Sequence, residues 1–82
     1  MTITTSKGDN FTALIITDAT WDQSLIIGFE SEIEKLSEIA EKFEDLTFVE
    51  TDQGAKFFVS MLVNVTRVSD NQYQVRLTKG AE

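Results

Sequence analysis

The chain has 82 residues, 41% hydrophobic and 26% charged, with 14 acids against 7 bases and a formal net charge of -7. That is the composition of one small folded domain, too apolar for a disordered tail. It contains no histidine, cysteine or proline, which removes Ser–His and thiolate catalysis, disulfides, and the usual ligands of zinc, haem, copper and iron–sulfur centres.

The opening MTITTSKGDN lacks a basic start followed by an apolar stretch, so it does not read as a secretory signal. The longest apolar run is Ala13–Ile16, against about 20 residues for a spanning helix. The expectation is a cytoplasmic protein. Phosphate contact needs clustered Lys and Arg, so the acidic balance argues against direct nucleic-acid binding and against an anionic membrane. It leaves a basic protein partner open.

Residues 2–5 and 11–17 are β-branched and apolar and read as strands, with Lys7-Gly8-Asp9-Asn10 as turn chemistry between them. Residues 25–29 read as a third strand, in which Gly28 marks a bulge or a close backbone approach. Ser31 and Glu34 have capping-box spacing. Ile33, Leu36, Ile39, Ala40 and Phe43 follow at steps of three and four, a single stripe of roughly 120°. The spacing predicts a helix over 31–45. Residues 46–51, 56–68 and 72–79 read as strands. On the long one the odd positions Phe57, Val59, Met61, Val63 and Val65 are all apolar, the pattern of a half-buried strand. An odd-length loop with Asn71 left-handed would set Val65 opposite Val75 and Val63 opposite Leu77.

The expected fold is therefore α+β: a mostly antiparallel sheet in the order β-β-β-α-β-β-β, in one domain over 1–82, with the helix packed on one face. One helix covers one face of a sheet, yet apolar side chains occur at both parities. Leu14, Ile16, Phe58 and Leu62 fall on the uncovered side. Three outlets compete for this surplus: curling into a partial barrel, a homodimer face, or docking of a different protein.

Charge is unevenly spread. Residues 18–52 hold eleven acids and two lysines, and the remainder holds three acids and five bases. On a continuous helix Glu34, Glu38, Glu41 and Asp45 form one ridge away from the apolar stripe, with carboxylates about 4.5–6 Å apart along the axis. Like charges at these spacings cost about 0.2–0.5 kcal/mol per pair, so folding does not require the ridge. It reads either as a solvated face or as a docking surface for a basic protein.

The six serines lack a recognisable base. The carboxylate pairs Asp18 with Asp22 and Glu50 with Asp52 match no calcium loop, and no Gly-rich phosphate loop is present. No cofactor or metal is expected. Trp21 reads as a half-buried loop residue or as an interface anchor, and Tyr73 as a core residue with its hydroxyl reaching solvent. The resulting expectation is a non-catalytic protein-binding module. In its sharper form it is a small acidic inhibitor, of the kind phages and mobile elements encode, that blocks a basic nucleic-acid-handling enzyme through Glu34, Glu38, Glu41, Asp45 and Trp21. The rival is a structural, homo-oligomeric subunit assembling through Leu14, Ile16, Phe58 and Leu62.

Overall fold

The computed structural model of the chain describes residues 1–80. Six strands and one helix follow in the order β1 (Thr2–Thr5), β2 (Asn10–Ala19), β3 (Ser24–Glu30), α1 (Leu36–Phe43), β4 (Phe48–Thr51), β5 (Lys56–Ser69) and β6 (Gln72–Lys79). The element order is the one expected, but the architecture is not. All neighbouring strands pair antiparallel, and the sheet closes as β1-β2-β3-β6-β5-β4. The closing seam is β1 against β4, with Ile3 opposite Thr51, Thr4 opposite Glu50 and Thr5 opposite Val49. The expected open α+β sheet is thus corrected to a closed six-stranded barrel. Of the three outlets for the surplus hydrophobics, closure is the one found, because a barrel gives inward-facing residues of every strand a common interior.

That interior holds Ile3, Leu25, Ile27, Phe29, Val49, Tyr73, Val75 and Leu77, all at 1% exposure or less. Phe11, Phe29, Phe43 and Tyr73 cluster at one end, with Phe11–Phe29, Phe11–Phe43 and Phe29–Phe43 ring centroids 5.1, 4.8 and 5.2 Å apart. Phe43 belongs to α1, so the helix plugs that mouth of the barrel instead of lying along a sheet face.

The helix is shorter than the stripe implies. It has eight residues, begins after Lys35, and no side chain caps its N-terminus. The expected capping box does not form. The Ser31 hydroxyl instead accepts from the Ile33 amide (3.1 Å), and the Ser31 amide donates to the Asn71 carbonyl (3.0 Å). These bonds hold the segment before α1 against the β5–β6 turn in a non-helical path, from which Ile33 still packs on the core. At the other end Glu44 is extended and Asp45 is left-handed at φ 57°. Two helical turns are marginal alone. Burial of Ile39 and Phe43, each fully enclosed, supplies about 1.5–3 kcal/mol apiece. Lys7 in the β1–β2 turn donates its ammonium to the carbonyls of Glu41 and Glu44, satisfying the last turn and opposing its dipole.

Bulges overturn the simple alternation of β5. Its register against β6 shifts between Val59 and Met61, between Leu62 and Asn64, and between Arg67 and Ser69. Each extra residue moves everything beyond it to the other face. Leu62, not Val63, therefore lies opposite Leu77, and Met61 is 63% exposed. Val65 does face Val75, and Asn71 is left-handed at φ 60°. The turn itself has two residues, with Ser69 opposite Gln72, and the bulge at Val68 does what an odd-length loop would have done. The bulge or close backbone approach expected at Gly28 takes another form: the bulge lies on the facing strand at Leu14, and a Cβ on Gly28 would meet the Ile15 side chain, 3.1 Å from its Cγ2.

Candidate functional site

Asp9 at the head of β2, Glu30 at the end of β3, and the whole 31–45 segment surround the mouth that α1 plugs. Residues 30–45 carry Glu30, Glu32, Glu34, Glu38, Glu41, Glu44 and Asp45 against Lys35 and Lys42. All seven carboxylate residues are exposed. Five ion pairs occur among the described residues: Lys42–Asp9 at 3.3 Å, Lys56–Glu50 at 4.0 Å, Arg67–Asp70 at 2.9 Å, Arg76–Asp22 at 3.7 Å and Lys79–Asp18 at 2.6 Å. None uses an acid from 30–45. Lys42 is turned away to Asp9 of the β1–β2 turn, so the i,i+4 pair Glu38–Lys42 does not form. Lys7 offsets part of the charge at the end of α1, where it meets backbone carbonyls.

The regular ridge is corrected. Only Glu38 and Glu41 stand on helix; Glu34 precedes it and Asp45 follows it in a left-handed turn. The even axial spacing expected of four carboxylates on one helix is lost, and what remains is a concentration of charge around the plugged mouth. Beside it lies an open groove lined by Asp9, Phe11, Glu30, Glu32, Ile33 and Lys42. Its walls offer two carboxylates without an ion pair among the described residues, next to apolar surface. That combination suits the stem and cationic head of an arginine or lysine.

Trp21 is not part of this surface. It sits at the tip of the β2–β3 turn, 99% exposed, at the other end of β2. Ten residues of extended chain separate the two ends by about 30 Å. The half-buried reading of Trp21 is thereby corrected, and its grouping with the acidic residues is not reproduced. The four residues expected to form an oligomer face are also scattered. Ile16 and Leu62 pack on the core. Phe58 pairs with Phe48 on the outside under the Lys56 ammonium, which lies 4.3 Å from the Phe48 ring centre. Only Leu14 is largely exposed, at 48%. Tyr73 is buried, as its place on the apolar face of β6 implied.

The carboxylate pairs considered for divalent cations are bonded elsewhere. Asp18 and Asp22 hold Lys79 and Arg76, Glu50 reaches Lys56, and Asp52 accepts from the Thr2 amide at 3.1 Å. Among the described residues no three acids gather as a metal site, and no helix is long and apolar enough to cross a membrane. Comparison with protein-family models, with curated proteins and with solved structures finds no match to this chain.

Proposed function

We propose that the protein is a non-catalytic binding module that presents the carboxylates of residues 30–45 to a basic protein. The observation that carries this reading is the partition of charge. Every ion pair of the described residues is made with an acid outside that segment, while all seven acids within it stay exposed. Folding does not require the arrangement: only Glu38 and Glu41 stand on α1, one turn apart, where like charges destabilise slightly. A basic partner gains long-range attraction and a faster encounter. The finer form is an inhibitor that seats this charge in the nucleic-acid channel of a basic enzyme. It is supported by the sign and concentration of charge, not by the even carboxylate spacing expected of a regular ridge.

The test is binding to a purified basic partner, first captured from lysate, at about 0.05 and 0.5 M salt, where screening lengths differ several-fold. The triple variant Glu34→Lys, Glu38→Lys, Glu41→Lys is measured beside the native chain, with far-UV circular dichroism to confirm the fold. Loss of binding on charge reversal, and weakening by salt, are expected. Affinity indifferent to both would overturn the proposal.

A further inference from the structure

β2 is longer than the strand that covers it. β1 pairs with Asn10, Phe11 and Thr12 and makes its last contact where the Ala13 amide donates to the Met1 carbonyl (2.7 Å). From Ile15 to Ala19 the strand pairs with β3 on one side only, and the bulged Leu14 has no opposite residue there. Its other edge offers amides and carbonyls with no backbone partner among the described residues. Bare edges of this kind template further pairing. The comparable stretch of β5 beyond Val59 is broken by three bulges and flanked by α1. β2 beyond its single bulge at Leu14 has no such protection.

Exposed apolar groups gather along this edge: Leu14 at 48%, Ile15 at 62%, Met1 at 45%, and Trp21 at 99% in the turn beyond. The acids beside it are already paired, Asp18 with Lys79 and Asp22 with Arg76. The surface is therefore electrically quiet in a chain of net charge -7, and the acidic segment lies at the far end of β2. A second copy of the same chain can approach here with least self-repulsion.

We propose that two copies associate through antiparallel pairing of their β2 edges about a two-fold axis beside Ile16. Leu14 of each then faces Asp18 of the other, and each Trp21 tip reaches Met1 of the opposite copy. Trp21 alone presents on the order of 200 Å². With Leu14, Ile15 and Met1 the pair buries on the order of 1,000 Å² in total, where specific association begins. The ladder joins the two β2–β3–β6–β5 sheets, and the acidic mouths point apart.

The experiment is sedimentation velocity on the full chain across a concentration series, with fluorescence of its single tryptophan read on the same samples. A monomer–dimer equilibrium is expected, accompanied by a blue shift of Trp21 emission as dimer forms. Trp21→Ala removes a side chain that touches nothing in the single copy, and Leu14→Lys charges the edge. Each should weaken association by about tenfold or more, with far-UV circular dichroism unchanged. Val68→Lys, exposed beside the distant β5–β6 turn, should leave it intact. Four results would overturn the proposal: a monomer with invariant Trp21 emission up to about 200 µM, a dimer insensitive to both edge variants, a dimer abolished by Val68→Lys, or open-ended assembly.

Discussion

Lysine placed at Met61 and at Leu62 separates the bulged register of β5 from plain alternation. Uninterrupted alternation puts Met61 inside with Val59 and Val65, and Leu62 outside. The structure puts Leu62 opposite Leu77 and against the core, and leaves Met61 63% exposed opposite Thr78. Leu62→Lys then forfeits the buried half of a leucine, about 0.8–1.5 kcal/mol. The ammonium escapes full desolvation by reaching solvent, since the position is only half-buried. A total loss of about 1–2 kcal/mol is a measurable share for 82 residues, whose whole stability is on the order of 4–12 kcal/mol. Met61→Lys exchanges one exposed flexible chain for another and stays within about 0.5 kcal/mol. Urea unfolding followed by circular dichroism measures both. With a slope near 1 kcal/mol per molar, the midpoint falls by about 1–2 M for Leu62→Lys and by less than about 0.5 M for Met61→Lys. The reverse order would mean that β5 runs without the bulge at Ser60, and the inward set would have to be reassigned.

Three further outcomes follow from single side chains. Phe43→Ala removes the ring that fixes α1 in the barrel mouth, 4.8 Å from Phe11 and 5.2 Å from Phe29; it should cost about 3–5 kcal/mol in urea unfolding, and a loss under about 1 kcal/mol would mean that the helix is not a structural plug. Asn71→Val forces a β-branched residue to φ 60° and should cost about 1–2 kcal/mol, whereas Asn71→Gly should be close to neutral. Glu41→Lys relieves the repulsion from Glu38 one turn earlier, so the melting temperature should stay within about 2 °C of native or rise slightly.

Local structure was far more legible in the residues than its closure. Strand identity came through because β-branched and apolar runs are bounded by turn residues, and Gly8 and Asn71 are indeed left-handed. The apolar stripe over-predicts the helix, because spacing marks which residues reach the core and not the backbone path that holds them. Ile33 reaches the core from an extended segment pinned by Ser31 and Asn71, and Leu36 stays 42% exposed. Closure was hidden for a different reason. β1 and β4 have four residues each, and nothing in TITT or FVET names the other as its partner. The presence of apolar residues at both parities was the sequence-level trace of the barrel. Part of that trace was itself an artefact of bulges, which place Met61 outside and Leu62 inside. Of the charge segregation read over residues 18–52, the acids of 30–45 remain exposed, whereas Asp18, Asp22, Glu50 and Asp52 are bonded to Lys79, Arg76, Lys56 and the Thr2 amide. The regular ridge does not survive, since it required all four carboxylates on one helix.

The two ends of the barrel depart from what folding alone requires, and in opposite ways. At the plugged end the apolar demand is met by Phe43, Ile39 and the aromatic cluster, and the surface above carries seven exposed acids that no core needs. At the other end charge is balanced by Lys79 and Arg76, yet hydrophobic surface and backbone unpaired among the described residues lie along Leu14–Ala19. A sequence optimised only for a soluble barrel would place a lysine or a bulge on that edge and a polar residue at its tip. Instead the tip carries the only tryptophan in the chain. Because the two surfaces differ in chemistry and stand a strand's length apart, they can be engaged together: self-pairing at the Trp21 end leaves the acidic mouths of both copies free. The proposed pair would present two charged surfaces to the proposed basic target, and its avidity would exceed that of either copy when both are reached at once. Salt should therefore weaken partner binding without dissociating the pair, which separates the charged surface from the apolar edge.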